Sequence, residues 1–110
     1  MTVDVFPDLK LAYLQVYGFR IEIIASTQSC SGMPEAKDLG EGVRTSGIGH
    51  FCFRVDDVDE VLAELNRRGV PTFVELGTYP GPGGRVRLCF VKDNNGNLIE
   101  FVTFLKDSAQ

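Results

Sequence analysis

The sequence predicts an α+β fold: a complete β-α-β-β-β module over residues 47–110, preceded by two or three strands within residues 1–25. Three observations carry this reading. Residues 49–69 run as an alternating strand, an acidic cap, a helix of 3.6-residue period and a glycine stop. Residues 85–105 hold two further strand-like segments around the turn-rich KDNNG. Finally, GFRIEII at 18–24 is echoed by GNLIEFV at 96–102, each with a turn glycine followed by an Ile-Glu pair.

Taken in order, residues 2–6 (TVDVF), closed by Pro7, make a short first strand. The run LKLAYLQVYGFRIEIIA at 9–25 is rich in β-branched and aromatic residues and is broken by Gly18, which predicts a hairpin. In its second strand Phe19, Ile21 and Ile23 face one way and Arg20, Glu22 and Ile24 the other, so a carboxylate falls among apolar neighbours. Residues 26–46 (STQSCSGMPEAKDLGEGVRTS) show neither period and read as a linker, longer than most connections in compact domains.

Residues 49–55 alternate again, with Phe51, Phe53 and Val55 on one face and His50, Cys52 and Arg54 on the other. Asp56 or Asp57 caps a helix in which Val58, Val61, Leu62 and Leu65 recur at three- and four-residue spacing, and Gly69 ends it. Residues 71–76 give a short strand and GTYPGPGG at 77–84 a loop. Segments 85–91 and 97–105 are strands, joined where Asn95-Gly96 signals a tight turn. In the last strand Leu98, Glu100, Val102 and Phe104 share a face, which again sets an acid among apolar residues.

Composition narrows the function classes. With 110 residues, 44% hydrophobic and 24% charged, the chain suits one small globular domain. A formal charge of -4 and no Lys/Arg cluster along any element argue against nucleic acid as partner. No apolar run approaches the roughly 20 residues that cross a bilayer, and Met1 is followed by polar and acidic residues, so the expectation is a cytoplasmic protein with no membrane partner. Cys30, Cys52 and Cys89, odd in number and widely spaced, read as free thiols.

Glu22, Glu100 and the single histidine, His50, are the candidate functional groups. A carboxylate buried alone costs several kcal/mol unless it is paired or bound to a cation. Arg20, Arg54, Arg85 and Arg87 all lie on predicted strands and offer ordinary salt bridges, and a strand open to water on one face needs no partner at all. GTYPGPGGR shares only its glycine content with a phosphate-cradling loop, since no G-K-[ST] follows, and reads as a lid or plain hairpin loop. Cys52 lies on the His50 face but has no second histidine as a base, so a small buried hydrophobe fits it better than a nucleophile.

GIGHFCFRVDD at 47–57, the helix closed by Gly69-Val70-Pro71, and NNGNLIEF at 94–101 together resemble the vicinal-oxygen-chelate superfamily of glyoxalases, bleomycin-resistance proteins, epimerases and extradiol dioxygenases. The resemblance covers residues 47–104, with 9–25 as the tail of a preceding module. It implies paired, glyoxalase-like βαβββ modules whose sheets curve round a cavity, with inward His or Glu ligands on the first and last strand of each. His50, Glu100 and Glu22 would then hold a divalent metal (Zn, Ni, Co, Mn or Fe), with Glu100 or Glu22 also a possible catalytic base. Arg20, Cys52, Arg87 and Tyr13 would line the substrate side.

One departure bears on the ligand set. His50 precedes Glu100 by 50 residues, and the same span counted back from Glu22 falls before Met1. The resemblance therefore implies a first module lacking its first strand and helix, and a homodimer that covers the open edge. The activity it implies is a metal-dependent lyase or isomerase that stabilises an enediolate on a small oxygenated substrate. The rival is a metal-free binding protein for a drug or aromatic ligand, of the bleomycin-resistance type. An extradiol dioxygenase, with two His and one Glu on iron, is disfavoured by the single histidine.

Overall fold

The structure, a computed structural model, describes residues 2–5, 7–16, 18–28, 35–44, 48–81 and 83–106. Cys30 lies outside the described residues. The chain divides into two compact units, Met1–Pro34 and Glu35–Gln110.

The first unit is an antiparallel sheet of β1 (Thr2–Val5), β2 (Leu9–Val16) and β3 (Phe19–Ser26), in that spatial order. Gly18, at φ 84°, supplies the left-handed backbone of the β2–β3 turn, where the sequence predicts the hairpin. Apolar side chains are exposed on both faces of this sheet, Phe19 and Ile23 on one and Ile24 on the other.

The second unit contains α1 (Leu39–Arg44), β4 (His50–Arg54), α2 (Val58–Arg67), β5 (Thr72–Gly81), β6 (Gly84–Lys92) and β7 (Leu98–Lys106). Its sheet has the order β4-β7-β6-β5, with β4 parallel to β7 and the other pairs antiparallel. This is the βαβββ module predicted from the sequence. The described residues of the first unit form three strands that correspond to the last three of such a module. The two glutamate hairpins also match in register: Tyr13 faces Glu22 across β2–β3 as Phe90 faces Glu100 across β6–β7.

Helix α2 is built as its sequence implies. Asp57 is the N-cap and its carboxylate accepts from Glu60 N, while Gly69 continues past the C-terminus at φ 86°. Its apolar stripe, Val58, Leu62 and Leu65, packs on Cys89, Val91, Ile99 and Phe101, and this face of the sheet is the main core. Phe53 stacks on Phe101 in the same layer. Thr103 ties the helix entrance to β7, for its hydroxyl accepts from Val58 N and donates to Val55 O. Cys89 is fully buried and acts as a small hydrophobe.

Two sequence expectations change. The segment read as linker contains α1, opened by Asp38, whose carboxylate accepts from Glu41 N at 2.8 Å. A helix of six residues is less than two turns, too short to show a period. Tertiary contacts fix it: Lys92 Nζ donates to Glu35 Oε1 and Ala36 O, and Gly42 lies so close to Leu98 that a Cβ there would sit 2.6 Å from Leu98 Cδ1. The loop expected at 77–84 is instead mostly strand, since β5 runs on to Gly81 with irregular register near Thr72, Val74 and Gly77. Gly77 leaves room for the Tyr79 ring and Gly81 for Val86, and Pro80 is tolerated because β5 is an edge strand. No helix among the described residues is long and apolar enough to cross a membrane.

Candidate functional site

The candidate site lies on the sheet face opposite α2, where β4 and β7 run side by side. Parallel register sets His50 beside Leu98, Cys52 beside Glu100 and Arg54 beside Val102, and strand alternation points all six to that one face. The backbone thus brings together residues 50 positions apart that no local pattern joins.

His50 and Glu100 meet directly, Nε2 to Oε1, at 3.0 Å, with side-chain exposures of 30% and 14%. An ionised carboxylate only accepts, so His50 donates from Nε2. The imidazole also meets the Phe90 ring edge-on, centroids 5.2 Å apart, and Phe90 is the β6 neighbour of Glu100. Glu100 is thus flanked by a buried aromatic on one side and by Cys52 on the other. The Cys52 thiol is pushed up to about 11, by desolvation first and then by the Glu100 carboxylate, which repels a thiolate. Cys52 is exposed, not the small buried hydrophobe expected from the sequence. A protonated thiol beside a carboxylate is a poor nucleophile.

Further along the same face, Arg54 lies over the Phe104 ring, its Cζ 4.6 Å from the centroid. Leu88, Val102 and Val86 line the strands between and around them, and Val102 is buried. The sequence places Arg54 on the His50 face but gives no sign of its Phe104 contact, and Phe90 is equally invisible as a neighbour of His50. The available signal is the alternation His50, Cys52, Arg54, read together with the last strand as one surface.

Glu22, Arg20 and Tyr13 share a face of the first unit. Arg20 lies over the Tyr13 ring at 5.1 Å, and with Asp4 and Gln15 these two residues line an open concavity of about 340 Å³. Glu22, the register partner of Tyr13, is exposed and has no ion-pair partner among the described residues, so the cost expected of a buried acid does not arise there. Arg87 is not at the His50–Glu100 face. It lies on the α2 side of the sheet, where its guanidinium donates both Nε and Nη2 to the Asp59 carboxylate at 2.7 Å and Nη1 to Thr78. A salt bridge from Arg54, Arg85 or Arg87 to Glu100 is replaced by the histidine contact, because the parallel β4–β7 register puts the imidazole next to that carboxylate.

An imidazole nitrogen and a carboxylate oxygen side by side suit a borderline divalent ion in donor type, but a catalytic zinc takes three protein ligands. Among the described residues no group of three or more His, Cys, Asp or Glu side chains is placed to hold a metal ion. The second unit supplies two donors, and they are bonded to each other.

Comparison with known proteins agrees with this architecture. The crystal structure of a glyoxalase family protein from Enterococcus faecalis is similar at a TM-score of 0.66 with 24% identity, over 93% of this chain and 75% of that one. A glyoxalase/bleomycin resistance protein/dioxygenase from Alicyclobacillus acidocaldarius aligns at 0.57 with 20% identity, over 96% and 74%. A domain of the same description from Frankia sp. EAN1pec aligns at 0.60 with 16% identity, over 96% and 76%. These likenesses establish the fold alone. A search of curated proteins gives no match. The family described as Glyoxalase/Bleomycin resistance protein/Dioxygenase superfamily matches residues 2–101, nearly the whole chain, and the chain belongs to that superfamily.

Proposed function

We propose that the chain is a lyase or isomerase of the glyoxalase-like type, acting on a small oxygenated substrate at the face that carries His50 and Glu100. The observation that carries this reading is the His50–Glu100 contact, an acid–base pair held on two adjacent strands against the buried Phe90. Glu100 is the base that removes a proton adjacent to a substrate carbonyl, and His50 orients its carboxylate and holds a proton at Nε2. The apolar surround of Phe90, Leu98 and Val102 limits water around the pair.

A divalent metal, when bound, would supply Lewis-acid chemistry at the substrate carbonyl. His50 and Glu100 would help to hold it, their mutual hydrogen bond giving way to the ion. A homodimer is part of the same reading, supported by the exposed Phe19, Ile23 and Ile24 of the first sheet. The alternative is a metal-free binding protein for an aromatic or drug-like ligand. It is favoured by the way His50 and Glu100 already satisfy one another beside an apolar floor.

Equilibrium dialysis of the purified full chain against Zn²⁺, Co²⁺ and Ni²⁺, followed by metal analysis, separates the two. A stoichiometric ion that is lost in His50→Ala and in Glu100→Gln supports the enzyme. No uptake after reconstitution overturns its metal-dependent form and leaves the binding protein.

A further inference from the structure

We propose that Arg54 is the anchor for an oxyanion, most simply a carboxylate, at the far end of the ligand that occupies the His50–Glu100 face. The inference rests on the reading of that face as the working site, and it adds the class of molecule: an elongated compound with its oxygenated end at Glu100, an apolar or aromatic middle, and an anionic tail.

Four features point this way. First, Arg54 follows His50 and Cys52 on one strand face, so a ligand lying along β4 meets all three. Second, its guanidinium is held over the Phe104 ring at 4.6 Å, which fixes the orientation of the fork without using its hydrogen-bond donors. Third, it has no carboxylate partner among the described residues, whereas Arg67 and Arg68 bind Glu64, Arg87 binds Asp59 and Lys92 binds Glu35. Fourth, the floor next to it, Val102 with Leu88 and Phe104, is apolar and offers nothing to hydrogen-bond a ligand's middle.

The geometry also sets the length. Arg54 is level with Val102, two residues beyond Glu100, and leans toward Phe104, four residues beyond it. At the rise of a parallel strand this is a separation of about 7 to 13 Å between the two ends of the site. A planar carboxylate at that distance accepts from the guanidinium fork in the two-point manner that arginine favours.

The test uses the full chain and a matched pair of probes: 3-(4-acetylphenyl)propanoate and its primary amide, which differ only in the charge of the tail. Titration calorimetry is run at low and at high ionic strength, with amide-resolved NMR to locate binding. The acid is expected to bind about tenfold tighter than the amide, a single charge-assisted contact, with shifts at Arg54 and Phe104 and a gap that narrows with salt. Arg54→Gln, a substitution at an exposed strand position, should make the two probes equal, while Arg54→Lys should keep part of the gap. Equal binding of acid and amide to the wild-type chain, no binding of the acid, or a gap that survives in Arg54→Gln overturns the proposal.

Metal uptake, measured on the same samples, reports on the other reading. A metal-free chain that still prefers the acid keeps Arg54 as anchor and loses the metal-dependent enzyme. A metal-loaded chain indifferent to the tail does the reverse.

Discussion

Cys52 and Glu100 are register partners across the parallel β4–β7 ladder, and His50, two residues before Cys52 on β4, meets the same carboxylate through Nε2 at 3.0 Å. Two reactive side chains, His50 and Cys52, thus lie against one carboxylate. The consequences differ for each of them.

For the thiol, desolvation first and the Glu100 charge second decide the chemistry. Cys52 is exposed, yet its thiol is pushed up to about 11. Alkylation by iodoacetamide, followed at Cys52 by peptide mass spectrometry, should therefore be slow at pH 8 and rise with pH well past the range of an ordinary thiol. Glu100→Gln removes the repulsion and should bring the midpoint down and speed the reaction at pH 8. An ordinary thiol profile in the wild-type chain contradicts the geometry.

For the imidazole, truncation leaves the carboxylate of Glu100, mostly buried at 14% exposure, without its partner. His50→Ala should lower folding stability by about 1–3 kcal/mol, the cost of an unsatisfied buried acceptor. Urea unfolding at pH 7 measures it, and His50→Ala combined with Glu100→Leu should recover part of the loss.

Acid sensitivity has its source elsewhere on the surface. Arg87 holds the Asp59 carboxylate below its ordinary value of 3.8, chiefly by hydrogen bonding, and Arg68, then Arg67, do the same for Glu64 below 4.5. Because both folded values are depressed, the stabilisation is present above those ordinary values and is lost as pH falls through the folded ones. The urea midpoint should fall between neutral pH and pH 3, and the fall should be shallower in Asp59→Asn combined with Glu64→Gln.

At the edge strand, Gly81 faces the stiff side chain of Val86. A Cβ there would lie 2.5 Å from Val86 Cγ1, and a β-branched residue has few rotamers with which to yield. Gly81→Ala should destabilise the β5–β6 hairpin by about 1–3 kcal/mol in thermal or urea unfolding, as overpacking does. Gly81→Ala combined with Val86→Ala should remove the clash.

Local pattern determined most of the second module. The period-two run at His50, the acid cap and 3.6-residue stripe of α2, and the Gly96 turn are short-range signals, because strand alternation, capping and positive φ act within a few residues. The echo of GFRIEII in GNLIEFV likewise shows in the letters and reappears as matched aromatic–glutamate register pairs. Tertiary structure alone decided the rest. The parallel register of β4 on β7 gave Glu100 to His50 rather than to an arginine, the packing of α2 on the Arg87 face of β6 gave that guanidinium to Asp59, and Lys92 and Leu98 fixed a six-residue helix where the chain reads as linker. These outcomes depend on which strands become neighbours, and pairing across 50 residues is set by the burial of whole faces, a property no local stretch of sequence contains.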